Sequence, residues 1–198
     1  MSSSRVCIPA WAAGAGALLI TGCSSMQIQY VPLTAPAPAA KANVRLQVVD
    51  ARMPDHGGAH KKQVGQVRSS FGIPSAVEDA KDDVAPRTVG DATTDALHHA
   101  GIGVEDGGNK MLVSTLKSYW MDGYMGYKAE VVVHFELKDA AGKSLWTSDV
   151  SGGAGGTSVG HTATGMTKDM FERALDELAQ RASEQFSTPE FQQALAAP

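Results

Sequence analysis

The stretch Tyr127-Lys-Ala-Glu-Val-Val-Val-His-Phe-Glu-Leu137 decides the fold class. Apolar and polar residues alternate along it, and a β-strand directs successive side chains to opposite faces of a sheet. The apolar set is Tyr127, Ala129, Val131, Val133, Phe135 and Leu137, and the polar set is Lys128, Glu130, His134, Glu136 and Lys138. The pattern predicts a sheet with one face covered by other elements and one face in contact with water.

The segments on either side of this strand continue the sheet. Met111–Trp120 has strand composition, and strict alternation places Leu112 and Leu116 on one face and Tyr119 on the other. After a short connection that contains Gly142, Ser144–Val150 is predicted to pair back as a hairpin. The glycine-rich segment from Gly152 to Gly160 that follows is predicted to be a flexible loop.

The first part of the domain has weaker signals. Alternation at Val44, Leu46 and Val48 predicts a strand, and Gln63–Ser69 predicts a short return strand. The segment from Met53 to Lys62, which separates the two, contains proline and glycine and is expected to be a loop. The segment from Phe71 to Val84 is expected to be irregular or briefly helical.

Helical periodicity appears at three places. Pro86 fits the first position of a helix that Gly101 ends, and Thr167 resembles the cap of a second, long apolar-faced helix. Thr188 and Pro189 begin a short third helix. The order of elements predicts an α+β fold: a single domain with a mainly antiparallel sheet and two helices packed on one face.

The N-terminus has the order of a secretory signal peptide, with Arg5 followed by an apolar run that ends at Leu18-Leu19-Ile20-Thr21-Gly22-Cys23. These last residues resemble the bacterial lipobox, which implies cleavage before Cys23 and attachment of lipid to its thiol. The alternative is that the segment from Val6 to Gly22 remains as a membrane-spanning helix. Its glycines and the lack of a following basic cluster favour processing.

On this interpretation, residues 1–22 are the signal peptide, residues 23–42 are the lipidated N-terminus with a tether rich in Pro and Ala, and residues 43–198 are a periplasmic α+β domain. Ser24 follows the cysteine, which in the lipobox resemblance favours the periplasmic face of the outer membrane. The chain carries two cysteines and a net charge of −4. Since Cys7 leaves with the signal peptide and Cys23 carries lipid, no disulfide is expected, and no basic field for nucleic acid is present.

No catalytic signature is found, and we expect neither an enzyme nor a cofactor. His56 and His60 are the closely spaced histidines, and two imidazoles in a loop could bind zinc weakly with a further ligand. A solvated loop without metal is the favoured alternative, so no metal site is predicted.

An aromatic cluster surrounds the turn signal Asp122-Gly123. Exposed aromatic and methionine side chains are typical of protein interfaces, whereas cross-strand packing of the same rings is the alternative explanation. The predicted partner surface consists of Tyr119, Trp120, Tyr124, Met125 and Tyr127.

Several of these features together resemble the YajG-type family of envelope lipoproteins. They are the lipobox, the tether, a strand that ends in Asp50-Ala-Arg52, a helix that runs into Ala100-Gly101-Ile102, and a final helix followed by Ser187-Thr-Pro-Glu-Phe191. The resemblance covers nearly all of the mature chain and implies an envelope lipoprotein. It transfers no active-site residue.

The function expected from the sequence is therefore non-enzymatic. A lipid-anchored domain held at the membrane by its N-terminal lipid would bind an envelope protein as an adaptor. The alternative is a small-molecule or lipid-binding accessory of an envelope transport system, with its ligand between the helices and the sheet. An envelope hydrolase is a third possibility, and it needs a convergent cluster of catalytic residues that the sequence does not show.

Overall fold

The computed structural model describes residues 26–68, 71–124, 126–157 and 163–197. Within these residues the chain forms seven strands and three α-helices. The elements are β1 (Ala42–Asp50), β2 (Gln63–Arg68), β3 (Pro74–Glu78), α1 (Val84–His99), β4 (Ile102–Val104), β5 (Met111–Gly123), β6 (Tyr127–Lys138), β7 (Ser144–Gly156), α2 (Ala163–Phe186) and α3 (Pro189–Ala196). This is a single α+β domain, as predicted. The signal peptide and Cys23 lie outside the described residues.

The sheet is organised around β5. One edge of β5 pairs along its whole length with β6, which pairs in turn with β7, and both pairings are antiparallel. The other edge is shared: the first half of β5 pairs with β1 and the second half with β2, both in parallel. β4 adds to β1 in parallel and β3 adds to β2 antiparallel. In the described residues the sheet is therefore mixed, with three parallel and three antiparallel pairings, and the prediction of a mainly antiparallel sheet is wrong.

Two helices cover one face of this sheet, as predicted. The alternating residues of β6 point into that layer, and Ala129, Val131, Val133, Phe135 and Leu137 are fully buried. Phe135 packs edge-on against Phe186 of α2, with ring centroids 5.1 Å apart. Because each fully buried large apolar side chain stabilises the fold by about 1.5–3 kcal/mol, this layer is the main source of stability.

A β-bulge in β5 corrects the predicted face of one aromatic residue. The pairing register with β6 shifts between Leu116 and Ser118, so Lys117 is an extra residue without a partner. An extra residue reverses the alternation beyond it. Tyr119, predicted opposite to Leu112 and Leu116, therefore lies on the same buried face as these leucines and has no exposed surface.

The glycine-rich segment after Val150 is not a loop up to Gly156, because β7 continues through it. A Cβ atom on Gly152 would lie 2.0 Å from the backbone oxygen of Ala174 and 2.6 Å from the backbone nitrogen of Leu178. The backbone of α2 thus lies directly on the strand, and only glycine leaves room for it. Composition alone suggested flexibility, whereas the glycine serves close helix–strand packing.

α2 also protects the outer edge of β7. The Gly153 N–H donates to Glu177 at 2.7 Å, and Arg181 donates to the Ser151 carbonyl at 3.0 Å. Glu177 and Arg181 also form an ion pair at 2.6 Å. Unpaired backbone groups at a sheet edge are a template for aggregation, and these side chains satisfy two of them.

Two element boundaries differ from the sequence predictions, and a third agrees with them. The segment predicted to be irregular contains β3, which β2 holds in an antiparallel pair. α2 begins at Ala163, one turn before the predicted cap Thr167, which is buried inside the helix. The predicted cap of the last helix is confirmed, because the Thr188 side chain accepts the Phe191 N–H.

The structure corrects the first described part of the predicted tether at residues 23–42, whereas the part rich in Pro and Ala, residues 34–41, is exposed. Met26 is 5% exposed and Ile28 is fully buried, so the described start of the chain belongs to the domain core. The Ile28 N–H donates to the Asp79 carboxylate at 2.8 Å, and the Met26 carbonyl accepts the Ala80 N–H at 3.0 Å. Met26 and Ile28, which precede the segment rich in proline and alanine, supply apolar side chains that the core buries. No helix in the described parts of the chain is long and apolar enough to cross a bilayer.

Candidate functional site

Three of the six exposed large apolar side chains in the described residues lie at one end of the sheet. Phe71 is 91% exposed and Ile73 64% exposed, and both lie in the turn between β2 and β3. Tyr124, which is 55% exposed, lies in the turn between β5 and β6. β2 and β5 run in parallel with Val67 opposite Gly123, so both turns project from the same end of the sheet.

Arg68 connects the two turns. Its guanidinium carbon lies 5.7 Å from the centroid of the Tyr124 ring, and its Nη2 atom lies 3.9 Å from the Asp122 carboxylate. Arg68 is also paired with Pro74, the residue that follows Ile73. We call Arg68, Phe71, Ile73 and Tyr124 the apolar end. A concentration of exposed apolar side chains is typical of a contact surface.

The structure divides the partner surface predicted from the sequence. Tyr119 does not belong to it: its ring stacks on Phe171 of α2 with centroids 4.3 Å apart, and its hydroxyl lies 3.3 Å from that of Thr88. Burial raises the pKa of Tyr119 above its usual range. Tyr127 is half-buried and packs against the core. Tyr124 is exposed at the apolar end, and Met125 lies outside the described residues.

Trp120 lies on the other, open face of the sheet. It is half-buried, and its ring is tilted against that of His56 with centroids 4.7 Å apart. His56 ends the short turn Pro54–His56, which Met53 precedes with 56% of its surface exposed. Val49 of β1 is 36% exposed. We call Val49, Met53 and Trp120 the open-face patch.

Phe71 and Ile73 were missed by the sequence analysis because the segment after Phe71 was expected to be irregular. The available signal was Gly72, which has a positive φ of 76° and allows the turn. Apolar residues on both sides of this glycine, Val67 and Val77, would have indicated a second hairpin.

The closely spaced histidines His56 and His60 belong to no group of metal ligands among the described residues. Among them, no group of three or more His, Cys, Asp or Glu side chains could hold a metal ion. His56 packs on Trp120, so its imidazole supports the loop against the sheet.

A charged network holds the loop where β1 ends and β2 begins. Arg52 is buried and donates to both oxygens of Asp50, at 3.0 and 3.1 Å, while Lys61 donates at 2.8 Å. Arg52 also donates to the carbonyls of Lys61 and Gln63. Burial would raise the pKa of Asp50, but these hydrogen bonds outweigh it and lower the pKa to about 2. The network therefore has a structural role at the junction of the two strands.

The N-terminal segment lies along α1. Tyr30 donates its hydroxyl to Asp95 at 2.6 Å, and the Leu33 N–H donates to the same carboxylate at 2.8 Å. Burial and this hydrogen bond raise the pKa of Tyr30 above its usual range. The segment therefore follows α1 from Asp79, just before its start, to Asp95 near its end.

In the described residues, side chains occupy the space between helices and sheet, where the alternative function of a carrier would place its ligand. Phe171 and Phe186 of α2 pack on Tyr119 and Phe135 there, and Phe191 of α3 lies 5.1 Å from Phe186 between ring centroids. The apolar groups that remain available for contact lie at the surface.

One of the solved structures to which the chain is similar has a TM-score above 0.5. A Xanthomonas campestris protein described as a member of the DUF330 family superposes with a TM-score of 0.55 at 16% identity, over 85% of this chain and 96% of its own. The two chains share a fold. A minor lipoprotein from Acinetobacter baumannii gives a TM-score of 0.46 at 12% identity, over 76% of this chain and 93% of its own. No protein-family model matches the sequence, and no curated protein matches it significantly.

Proposed function

We propose that this protein is a bacterial envelope lipoprotein, anchored through lipid on Cys23, that works by binding another envelope protein. The anchor is supported by the order of Arg5, the apolar run and Leu18–Cys23. The family is proposed to be YajG-like, on the structural patterns of the sequence. The periplasmic face of the outer membrane is the proposed location, because Ser24 follows the cysteine.

One observation carries the binding role: among the described residues, side chains pack the layer between helices and sheet, and the aromatic and apolar groups left for contact lie at the surface. The open-face patch is the proposed protein-binding surface. Trp120 and Met53 are residue types enriched at protein interfaces. Val49 pairs with Thr115, which in turn pairs with His134, and the His134 Nδ1 atom lies 2.8 Å from the Asp149 carboxylate, so polar side chains border this part of the open face.

The anchor is tested by mass spectrometry of the mature protein purified from membranes. We expect a chain that begins at Cys23 and carries the mass of a diacylglyceryl group and an additional acyl chain. Cys23→Ser is expected to abolish this mass and release the protein from the membrane fraction. A wild-type chain that retains residues 1–22 without lipid would overturn the anchor, and separation of inner and outer membranes tests the location.

The binding role is tested by crosslinking in cells with a photoreactive residue in place of Val49, which is 36% exposed. A matched control carries the same residue at Glu184, on the exposed side of α2. We expect a discrete protein adduct from position 49 that is absent from position 184. Equal or absent capture at the two positions, with both variants lipidated and folded, would contradict the open-face patch as a binding surface.

A further inference from the structure

We propose that the apolar end lies against the lipid bilayer that anchors Cys23, so that Phe71, Ile73 and Tyr124 form a second membrane contact of the folded domain. This inference rests on the proposed lipid anchor and names the surface that the anchor orients toward the membrane. It follows from the length of the connection, from the direction of the chain and from the residues at that end.

The connection between the anchor and the domain is short. Only Ser24 and Ser25 separate Cys23 from Met26, which is 5% exposed and hydrogen-bonded to Ala80. Since an extended chain spans at most about 3.3–3.6 Å per residue, the Cα atom of Cys23 lies within about 11 Å of that of Met26. A lipid on Cys23 therefore holds the domain itself at the membrane surface.

The direction of the chain at Met26 is set by α1. Leu33 contacts Asp95 near the end of α1, and Ile28 contacts Asp79 just before its start. From Leu33 back to Met26, the chain therefore runs toward the N-terminal end of α1. The opposite end of α1 leads into Gly101, whose carbonyl accepts the N–H of Lys41 at the beginning of β1.

These contacts place the two ends of the domain. α1 ends where β1 begins, so its N-terminal end lies in the direction in which β1 runs. β5 runs parallel to β1, and β2 runs parallel to β5. The apolar end follows the last residues of β2 and β5. The described chain from Leu33 to Met26 therefore runs toward the same end of the domain as Phe71 and Tyr124.

The distances along this direction are compatible. The Met26 carbonyl accepts the N–H of Ala80, which lies two residues beyond Glu78. Glu78 and Gln63 form the first pair of the β2–β3 hairpin, and Pro74 and Arg68 form its last pair. The six residues from Ala80 back to Pro74 span about 20 Å of strand. Since Cys23 lies within about 11 Å of Met26, the last pair of the hairpin lies about 9 Å beyond the farthest reach of Cys23, which is comparable to the depth of about 5–10 Å that interfacial apolar groups occupy.

The side chains at this end suit a lipid surface. Aromatic residues are enriched at membrane interfaces, and the Phe71 side chain is almost fully exposed without a lipid. Arg68 is adjacent and its side chain is 41% exposed, so its guanidinium can reach phosphate groups while Asp122 lies at 3.9 Å. The anchor keeps this surface at high local concentration near the bilayer, so a weak contact is sufficient.

The test uses the full lipidated chain in protein-free vesicles of phosphatidylethanolamine and phosphatidylglycerol. An environment-sensitive fluorophore is attached at Phe71→Cys, and in a matched protein at Lys143→Cys, which is exposed in the β6–β7 turn at the other end of the sheet. We expect a blue-shifted emission and at least twofold quenching by spin-labelled lipid for position 71, and neither for position 143. Equal signals at the two positions would overturn the proposal.

Two controls separate this inference from the anchor and from protein docking. Intact mass and vesicle flotation show whether the chain is lipidated. A chain without lipid refutes the anchor. A lipidated chain that floats with the vesicles but has a solvent-exposed probe at position 71 refutes the membrane contact alone. A Phe71→Ser/Ile73→Ser chain, labelled at Tyr124→Cys, is expected to lose the quenching seen with Tyr124→Cys alone. Protection of position 71 only in native membranes that contain protein would indicate a protein-docking surface and overturn the proposal.

Discussion

The Asp79 carboxylate accepts the backbone N–H of Ile28 at 2.8 Å, across 51 residues of sequence. Both residues are buried, with Asp79 4% exposed. The other oxygen of Asp79 accepts the Lys81 N–H at 3.1 Å, just before α1 begins. One side chain thus fixes the N-terminal segment and the approach to the first helix.

Asp79→Ala is expected to lower the free energy of unfolding by about 1.5–3 kcal/mol, because a hydrogen bond to a charged group is lost and the Ile28 N–H remains buried. Urea unfolding measures this loss, and limited proteolysis is expected to show faster cleavage between residues 26 and 33. Asp82→Ala is the matched control, since the Asp82 side chain is 76% exposed. If both variants unfold alike, the N-terminal segment is not held by Asp79.

Gly152→Ala is expected to destabilise the fold by about 2–3 kcal/mol, because the new methyl group forces α2 away from β7. Gly153→Ala is the control in the adjacent position, where the nearest atom to a Cβ would be 3.7 Å away. Its effect is expected to stay within about 0.5 kcal/mol. Thermal unfolding of the two variants compares them directly, and a tolerated Gly152→Ala would show that the helix does not pack on the strand at this point.

The Asp50 network is expected to make stability depend on acid. The pKa of Asp50 in the folded state is about 2, below its ordinary value of 3.8. The contribution of Asp50 to the free energy of unfolding is therefore complete above about pH 4 and is lost as the pH falls toward 2. Asp50→Asn should cost about 1 kcal/mol at pH 6, after allowance for solvent screening, and progressively less at lower pH. Urea unfolding from pH 6 to pH 2.5 checks this. A constant difference across that range, or a similar effect of Asp82→Asn, would contradict the assignment.

Glu177→Ala is expected to increase aggregation more than it lowers stability. It removes the acceptor of the Gly153 N–H and the partner of Arg181, which opens the edge of β7 to another chain. Light scattering at a temperature below unfolding is the measurement, with Glu184→Ala as a control on the same helix. Similar aggregation rates for the two variants would indicate that β7 is protected by other means.

The sequence predicted those elements whose pattern is local. The alternation of β6 and the Thr188 cap depend on residues that are close in sequence, and both were identified. The bulge at Lys117 was not, because it is defined by the register with β6 and leaves no mark in composition. Tyr119 was therefore assigned to the wrong face and to a contact surface.

The docked N-terminus and the apolar end were missed for a different reason. Ile28 is buried because Asp79 and α1 provide a place for it, and neighbours that are distant in sequence cannot be identified from the segment itself. Phe71 and Ile73 became a candidate surface only when the parallel pairing of β2 with β5 placed them beside Tyr124. Parallel pairing of distant segments is the information that a single sequence lacks most.

The shared edge of β5 determines the order in which the newly made chain can become structured. β1 and β2 are synthesised first, yet they have no long partner until β5 has emerged, since Asp50 pairs with Leu116 and Val67 with Gly123. Closing such long loops slows folding. β1 and β2, although they are made first, can therefore complete their pairing only after β5 has been made.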